Sequence, residues 1–204
     1  MRAASTDLVL LLDVDFRLSW ELGPLLRSAY PRLHADCTAG IAFVVPAFET
    51  AGKGGSPPDS MPRIREALRA GRAEGFHVGR YPKGHAPTDF DRWQDATATY
   101  PVEYAECYEP YTLVARARAP LYDERFAGYG LNKIAHCYHM HRLGFRFHVL
   151  PGVFVVAQEH PRSEAWRRSF GPGADRAHAL RTQALYQKLK WELDYELGPA
   201  LDPL

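Results

Sequence analysis

Leu8-Val9-Leu10-Leu11-Leu12-Asp13-Val14-Asp15 is the segment that says most about the fold. Five consecutive apolar residues predict a strand covered on both faces. The run is shorter than a signal-peptide core and far short of the ~20 residues that span a bilayer. It ends in two carboxylates one residue apart. Alternation along a strand turns such a pair to one side, and the carboxyl edge of an open α/β sheet is where ligands bind. Two hard oxygen donors there suit Mn²⁺ or Mg²⁺, with positions left for a diphosphate to complete the octahedron. Taken alone, the motif is equally a pair of acids solvating a strand end.

The rest of the composition fits that start. The chain has 204 residues, 46% hydrophobic and 24% charged, which predicts one soluble domain with a real core and excludes disorder and a membrane bundle. Lys and Arg number 25 against 24 Asp and Glu, for a net charge of +1. That balance lacks the basic excess of a nucleic-acid binder. Cys37, Cys107 and Cys137 are too few and too scattered for a disulfide framework or a paired-cysteine zinc site.

Downstream, Ile41–Val45, Tyr111–Ala115, Phe145–Leu150 and Val153–Ala157 are further strand candidates, the last two around Pro151-Gly152. Ser19 is placed to cap a helix ending before Pro31. Ser60 is placed to cap another, with Pro62 in its first turn and Gly75 as its stop. Helices are also predicted over Lys133–Leu143, closed by Gly144, and Ala174–Leu197, closed by Gly198. His77–Tyr104 has little periodicity and reads as irregular. The pattern is mixed α/β. Phosphatases of the haloacid dehalogenase type also begin with an apolar strand and a DxD. Their usual Thr or Val two residues further on is here Arg17, and their downstream Lys and acidic motif are not evident.

Further motifs follow in order: Val45-Pro46-Ala47-Phe48-Glu49, then His85-Ala86-Pro87-Thr88-Asp89-Phe90-Asp91-Arg92-Trp93, then Tyr108-Glu109-Pro110-Tyr111. After them come Tyr122-Asp123-Glu124-Arg125-Phe126 and Gly128-Tyr129-Gly130-Leu131-Asn132-Lys133. With the acidic motif they resemble glycosyltransferase family 49, which includes the LARGE-type glucuronyltransferase domain and β-1,4-glucuronyltransferases. The resemblance runs from about Leu8 to Ser163. It implies a GT-A-like fold (a Rossmann-like mixed sheet flanked by helices), a UDP-sugar donor, a glycan acceptor, Mn²⁺ and inversion at the anomeric carbon. Glucuronic acid is the donor sugar it favours, and the Golgi lumen is where the full-length member would work.

By the same resemblance Asp13 and Asp15 match the metal-binding DxD, and His160 matches a late metal-ligating His. Ala157 stands where members often carry an earlier His. An inverting transferase needs a base for the acceptor hydroxyl, normally a carboxylate. The glycine-rich loop offers Asn132 and Lys133 where acids are usual, so Glu124 is the favoured base, then Asp123 and Glu109. Gly128 and Gly130 allow a sharp loop with close substrate approach. Tyr129, Asn132, Lys133 and Trp93 are the remaining substrate-binding candidates, with Tyr108 and Tyr111 as further aromatic platforms, though such aromatics are more often core. His136 and His139 share a helix face without a third ligand in view and are expected to be exposed or packed.

GT-A domains place two to three βα units before the DxD, whereas here it begins at residue 13. The expectation is a single transferase domain over residues 1–204 whose N-terminal nucleotide-binding part, the first βα units, is incomplete, with any membrane anchor of the full-length protein lying upstream. A second class of function stays open, a non-catalytic member that keeps the sugar-facing motifs and binds glycan or a partner transferase.

Overall fold

A computed structural model describes residues 4–50, 56–157 and 164–198. Two compact units emerge, one of Met1–Ala119 with Arg146–Glu159 and one of Pro120–Phe145 with His160–Leu204.

The first unit holds two mixed sheets flanked by helices, the architecture of a GT-A-like domain. One sheet has the order β1-β7-β3-β8-β6, from Leu8–Leu10, Tyr111–Ala115, Ile41–Val45, Arg146–Val149 and Tyr100–Val102. The other has the order β2-β9-β4-β5, from Phe16–Leu18, Val155–Ala157, Ala47–Thr50 and Ala73–Gly75. β3 lies parallel to β8 and antiparallel to β7, which is antiparallel to β1, so β1, β3 and β8 run the same way. Each leaves the first sheet and re-enters the second, as β2, β4 and β9. The crossing from β3 to β4 is the single residue Pro46, which has no N–H to give a ladder, while its carbonyl accepts from Val155 N at 2.8 Å.

The apolar runs supply the core between these elements. Phe43, Val45, Ala47, Leu113, Ala115, Leu150, Val153 and Val155 cluster with Leu33 and Cys37 of α2 (Tyr30–Thr38) and Leu22 of α1 (Leu22–Ser28). At ~25 cal/mol per Å² of apolar area removed from water, this burial is the main favourable contribution to the unit's stability. The three cysteines are free thiols, and burial pushes Cys37 up to about 12.

Several local expectations give way to tertiary contacts. The first strand is shorter than its apolar run: β1 ends at Leu10, Leu11 N still donates to Thr112 O at 3.3 Å, and Val9 is buried while Leu8 and Leu10 are half-buried, so its faces are only partly covered. Ser19 caps nothing. It is buried, and its hydroxyl accepts from Phe154 N at 3.3 Å. The helix itself, α1, does end before Pro31, at Ser28, and Pro31 lies in the first turn of α2. Ser60 does sit at the N-cap of α3 (Met61–Arg69), yet its side chain makes no cap bond; Glu21 Oε1 accepts from Met61 N at 2.8 Å in its place. Gly71, with φ +63°, follows the end of that helix, and Gly75 lies in β5. The stretch expected to be irregular contains α4 (Phe90–Asp95), capped by Asp89 Oδ1 accepting from Arg92 N at 3.1 Å, and β6. β8 and β9 flank Pro151-Gly152 without pairing, since each belongs to a different sheet.

The second unit is a helical pairing of α5 (Asn132–Arg142) with the long α7 (Arg176–Leu197), preceded by α6 (Glu164–Phe170). Tyr138 OH donates to Asp194 Oδ1 at 2.6 Å, and the buried Arg142 guanidinium pairs with the same carboxylate and donates to Gly198 O. Gly144 (φ +78°) and Gly198 (φ +75°) stop the two helices where expected. Among the described residues no helix is long and apolar enough to cross a membrane.

Candidate functional site

The acidic motif occupies a turn where β1 gives way to β2. Phe16 N donates to Asp13 O at 3.3 Å, Val14 stands fully exposed at the tip, Asp13 is exposed and Asp15 half-buried. The turn follows the carboxyl end of β1, as the sequence predicts, but no strand alternation aligns the two carboxylates. They share a different neighbour. The β1–β7 register (Leu8 to Ala115, Leu10 to Leu113) brings Tyr111 opposite the start of the turn, and its hydroxyl donates to Asp13 Oδ2 at 2.9 Å. Burial holds the Tyr111 phenol far above its usual range, reinforced by the charge of Asp13, that same hydrogen bond, and the charges of Glu109 and Asp15.

Glu109 lies two residues before Tyr111, half-buried on the approach to β7. Its backbone N donates to Gly84 O at 2.9 Å, and a Cβ at Gly84 would come within 3.1 Å of Glu109 Oε1. The glycine there makes room for the carboxylate. Among the described residues no three His, Cys, Asp or Glu side chains converge to hold an ion by themselves. His160 lies outside the described residues.

Trp93 corrects an expectation. It is wholly buried, its Nε1 donates to Leu150 O at 3.1 Å, and its ring packs against Phe48 (4.9 Å between centroids) and Phe154 (6.2 Å). An indole enclosed in this way has no face for a sugar; it is core. Tyr108 is likewise buried, with its hydroxyl 3.0 Å from Thr88 Oγ1.

The glycine-rich loop and two of the candidate bases, Asp123 and Glu124, belong to the second unit. Gly128 (φ +88°) and Gly130 (φ +112°) both require the backbone freedom of glycine, and Leu131 follows at φ +58° before α5 begins. A Cβ at Gly128 would approach His178 Cε1 to 3.2 Å, whereas at Gly130 nothing lies within 4 Å. His178 Nε2 lies 3.2 Å from Tyr129 O, tying the loop to the first turn of α7, and Tyr129 itself is exposed. Asn132 is exposed, with Oδ1 accepting from Lys133 N at 2.9 Å; Lys133 is half-buried.

The three base candidates differ in their surroundings. Asp123 accepts from Arg125 through both oxygens, at 2.6 to 3.0 Å, and Arg125 also bonds Glu192. The Arg125 hydrogen bonds hold the Asp123 carboxyl below its usual range, which makes it a weaker base. Its arrangement is that of a turn fixed by an ion pair. Glu124 is exposed beside it, and Glu109 stands in the other unit.

A family model described as "Glycosyl-transferase for dystroglycan" matches residues 1–192. The chain belongs to glycosyltransferase family 49. It is 39% identical over 160 residues to the xylosyl- and glucuronyltransferase LARGE2 of Mus musculus, covering 78% of this chain and 23% of that protein. It is 37% identical over 163 residues to LARGE1 of Danio rerio, covering 80% of this chain and 21% of the relative. The glycosyltransferase-like protein gnt14 of Dictyostelium discoideum is 36% identical over 179 residues, 86% of this chain and 27% of that protein. The chain thus spans about a quarter or less of the length of these relatives.

Sequence reasoning missed the contact between Tyr111 and Asp13. The two residues are 98 apart in the chain, and no local pattern announces a pairing at that distance.

Proposed function

We propose that this chain carries the catalytic centre of a metal-dependent inverting glycosyltransferase that moves a sugar from a UDP-sugar to a glycan acceptor. The observation that carries the proposal is the acidic turn at the carboxyl end of β1 in a member of this family. Asp13 and Asp15 offer hard carboxylate oxygens at an exposed turn, a donor set suited to Mn²⁺ or Mg²⁺ and incomplete without ligands from substrate or water. His160 would be the third protein ligand. When bound, the metal neutralises charge building on the leaving diphosphate.

The protein's own part in the reaction is to hold the acceptor and remove its proton. A carboxylate takes the hydroxyl proton as the oxygen bonds to the anomeric carbon, and the bond from that carbon to the diphosphate oxygen breaks on the opposite face. With Asp123 committed to Arg125, Glu124 is the preferred base and Glu109 the next. Gly128, Tyr129, Gly130, Asn132 and Lys133 form the sugar-facing loop in this reading, with Lys133 a point charge for an anionic group. Glucuronic acid is the donor sugar favoured, because relatives at 39% and 37% identity are named xylosyl- and glucuronyltransferases. For the full-length protein, the setting in this reading is the lumen of the Golgi.

Calorimetry of UDP binding in Mn²⁺ and in EDTA, on the native chain and Asp15→Ala, tests the donor site. Binding that needs both the metal and Asp15 supports it and leads to a screen of UDP-sugars with Glu124→Gln and Glu109→Gln. Absence of binding in a folded sample would favour a non-catalytic glycan- or partner-binding role for this chain.

A further inference from the structure

We propose that Tyr111 is a positioning residue for the acidic turn: its hydroxyl fixes the rotamer of Asp13 and so presents that carboxylate to a divalent cation. This role rests on the cation-binding reading of Asp13 and Asp15 given above.

Tyr111 is an unusual donor to find beneath an exposed carboxylate. It sits at the first position of β7, paired with Val45 of β3 at the middle of the sheet, and is 2% exposed. Its ring is held by Phe16 at 4.6 Å and by the buried His85 at 6.0 Å. Phe16 also donates the backbone hydrogen bond that closes the turn onto Asp13 O. One residue therefore shapes the turn and braces the ring that reaches into it. Packing on both sides restrains the ring, and so places the hydroxyl firmly beside an exposed turn.

The chemistry of the donor matters as much as its rigidity. An exposed aspartate samples several side-chain wells. A hydrogen bond to Oδ2 at 2.9 Å selects among them. Arg or Lys at the same place would also orient the carboxylate, but its charge would compete with the cation. A phenol orients Asp13 and leaves its negative charge intact. Partners that orient ligating groups in this way typically contribute about 10- to 100-fold to metal affinity.

Tyr111→Phe tests the role, since it keeps the ring and removes the hydroxyl alone. Free Mn²⁺ measured by electron paramagnetic resonance gives the dissociation constant of the chain with Mn²⁺ as the sole probe; thermal unfolding followed by circular dichroism reads stability separately. The expected result is about tenfold or greater weakening of Mn²⁺ binding with the fold retained. A structural role would lower the unfolding temperature and leave the Mn²⁺ affinity alone, and that outcome overturns the proposal. Asp13→Glu provides a second variant that leaves the core untouched. It carries the carboxylate one methylene past the fixed hydroxyl and should weaken Mn²⁺ similarly; affinity equal to the native chain again overturns the role. Asp15→Ala separates the two levels. If it abolishes binding while Tyr111→Phe and Asp13→Glu bind as the native chain does, positioning fails and the cation site stands. If the native chain binds no Mn²⁺, the cation site fails and the role of Tyr111 with it.

Discussion

His136 gives the sharpest quantitative handle on the second unit. It lies on α5 at 5% exposure, with its ring flat against Tyr122 (4.2 Å between centroids, 5° between planes) and Nε2 at 3.0 Å from Pro120 O. The neutral ring with its proton on Nε2 donates to that carbonyl. Burial pushes the imidazole down to about 4; the Pro120 hydrogen bond opposes this and nearby His139 adds to it. The unfolded chain, with the ordinary value near 6.5, binds the proton more readily, so stability is complete above that pH and is lost as pH falls from 6.5 towards 4. The linkage amounts to about 2 kcal/mol lost by pH 5 and about 3 kcal/mol by pH 4. That is a large fraction of the roughly 5–15 kcal/mol that holds an ordinary domain together. Urea unfolding at a series of pH values, on the native chain and His136→Gln, should show a steeper acid loss in the native chain. Imidazole resonances in the folded protein read the ionisation directly. A His136 midpoint near 6.5 in the folded state, or identical acid profiles for the two chains, would refute the burial account.

Two further substitutions separate packing from function. Trp93→Phe removes the indole N–H and leaves the buried Leu150 carbonyl without that donor, besides opening a small void. The free energy of unfolding should fall by about 2–4 kcal/mol with binding of UDP and Mn²⁺ unchanged; a loss of binding at full stability would restore Trp93 to the substrate face. Gly75→Ala would put a methyl 2.6 Å from Phe90 Cε2 and 2.8 Å from Val78 Cγ2. Phe90 packs edge-on to Phe48 at 5.2 Å, so the ring has little room to yield, and denaturant titration should show a cost of about 1–3 kcal/mol.

The elements that survived from sequence to structure are those with strong local signals. β3 and β7 coincide with their predicted ranges, and α5 and α7 end at Gly144 and Gly198. Continuous apolar runs and positive-φ glycines carry that information in a few adjacent residues. Caps were less legible. Ser19 and Ser60 have the right chemistry at plausible places, but Phe154 N takes the first and Glu21 supplies the donor-satisfying oxygen in place of the second. A hydrogen bond needs a partner, and the partner's position is a tertiary fact. Trp93 follows the same logic, because an aromatic in a polar stretch looks available until Phe48 and Phe154 close over it.

For the candidate site, residue type and order were enough to single out the acidic motif, the glycine-rich loop and the carboxylates near it, because the chemistry of metal binding and proton transfer restricts which side chains can serve. The sequence by itself therefore determined the fold class, the family and the acidic motif, whereas the turn that carries the motif is a feature of the structure. The tertiary structure alone decided how those carboxylates are held. Arg125 lies two residues from Asp123, but Glu192, the other member of that ion pair, is 67 residues further on. Tyr111 reaches Asp13 across 98 residues because β1 and β7 pair in one register. A side chain's identity is local, whereas its ionisation and orientation depend on neighbours that only folding brings within hydrogen-bond reach.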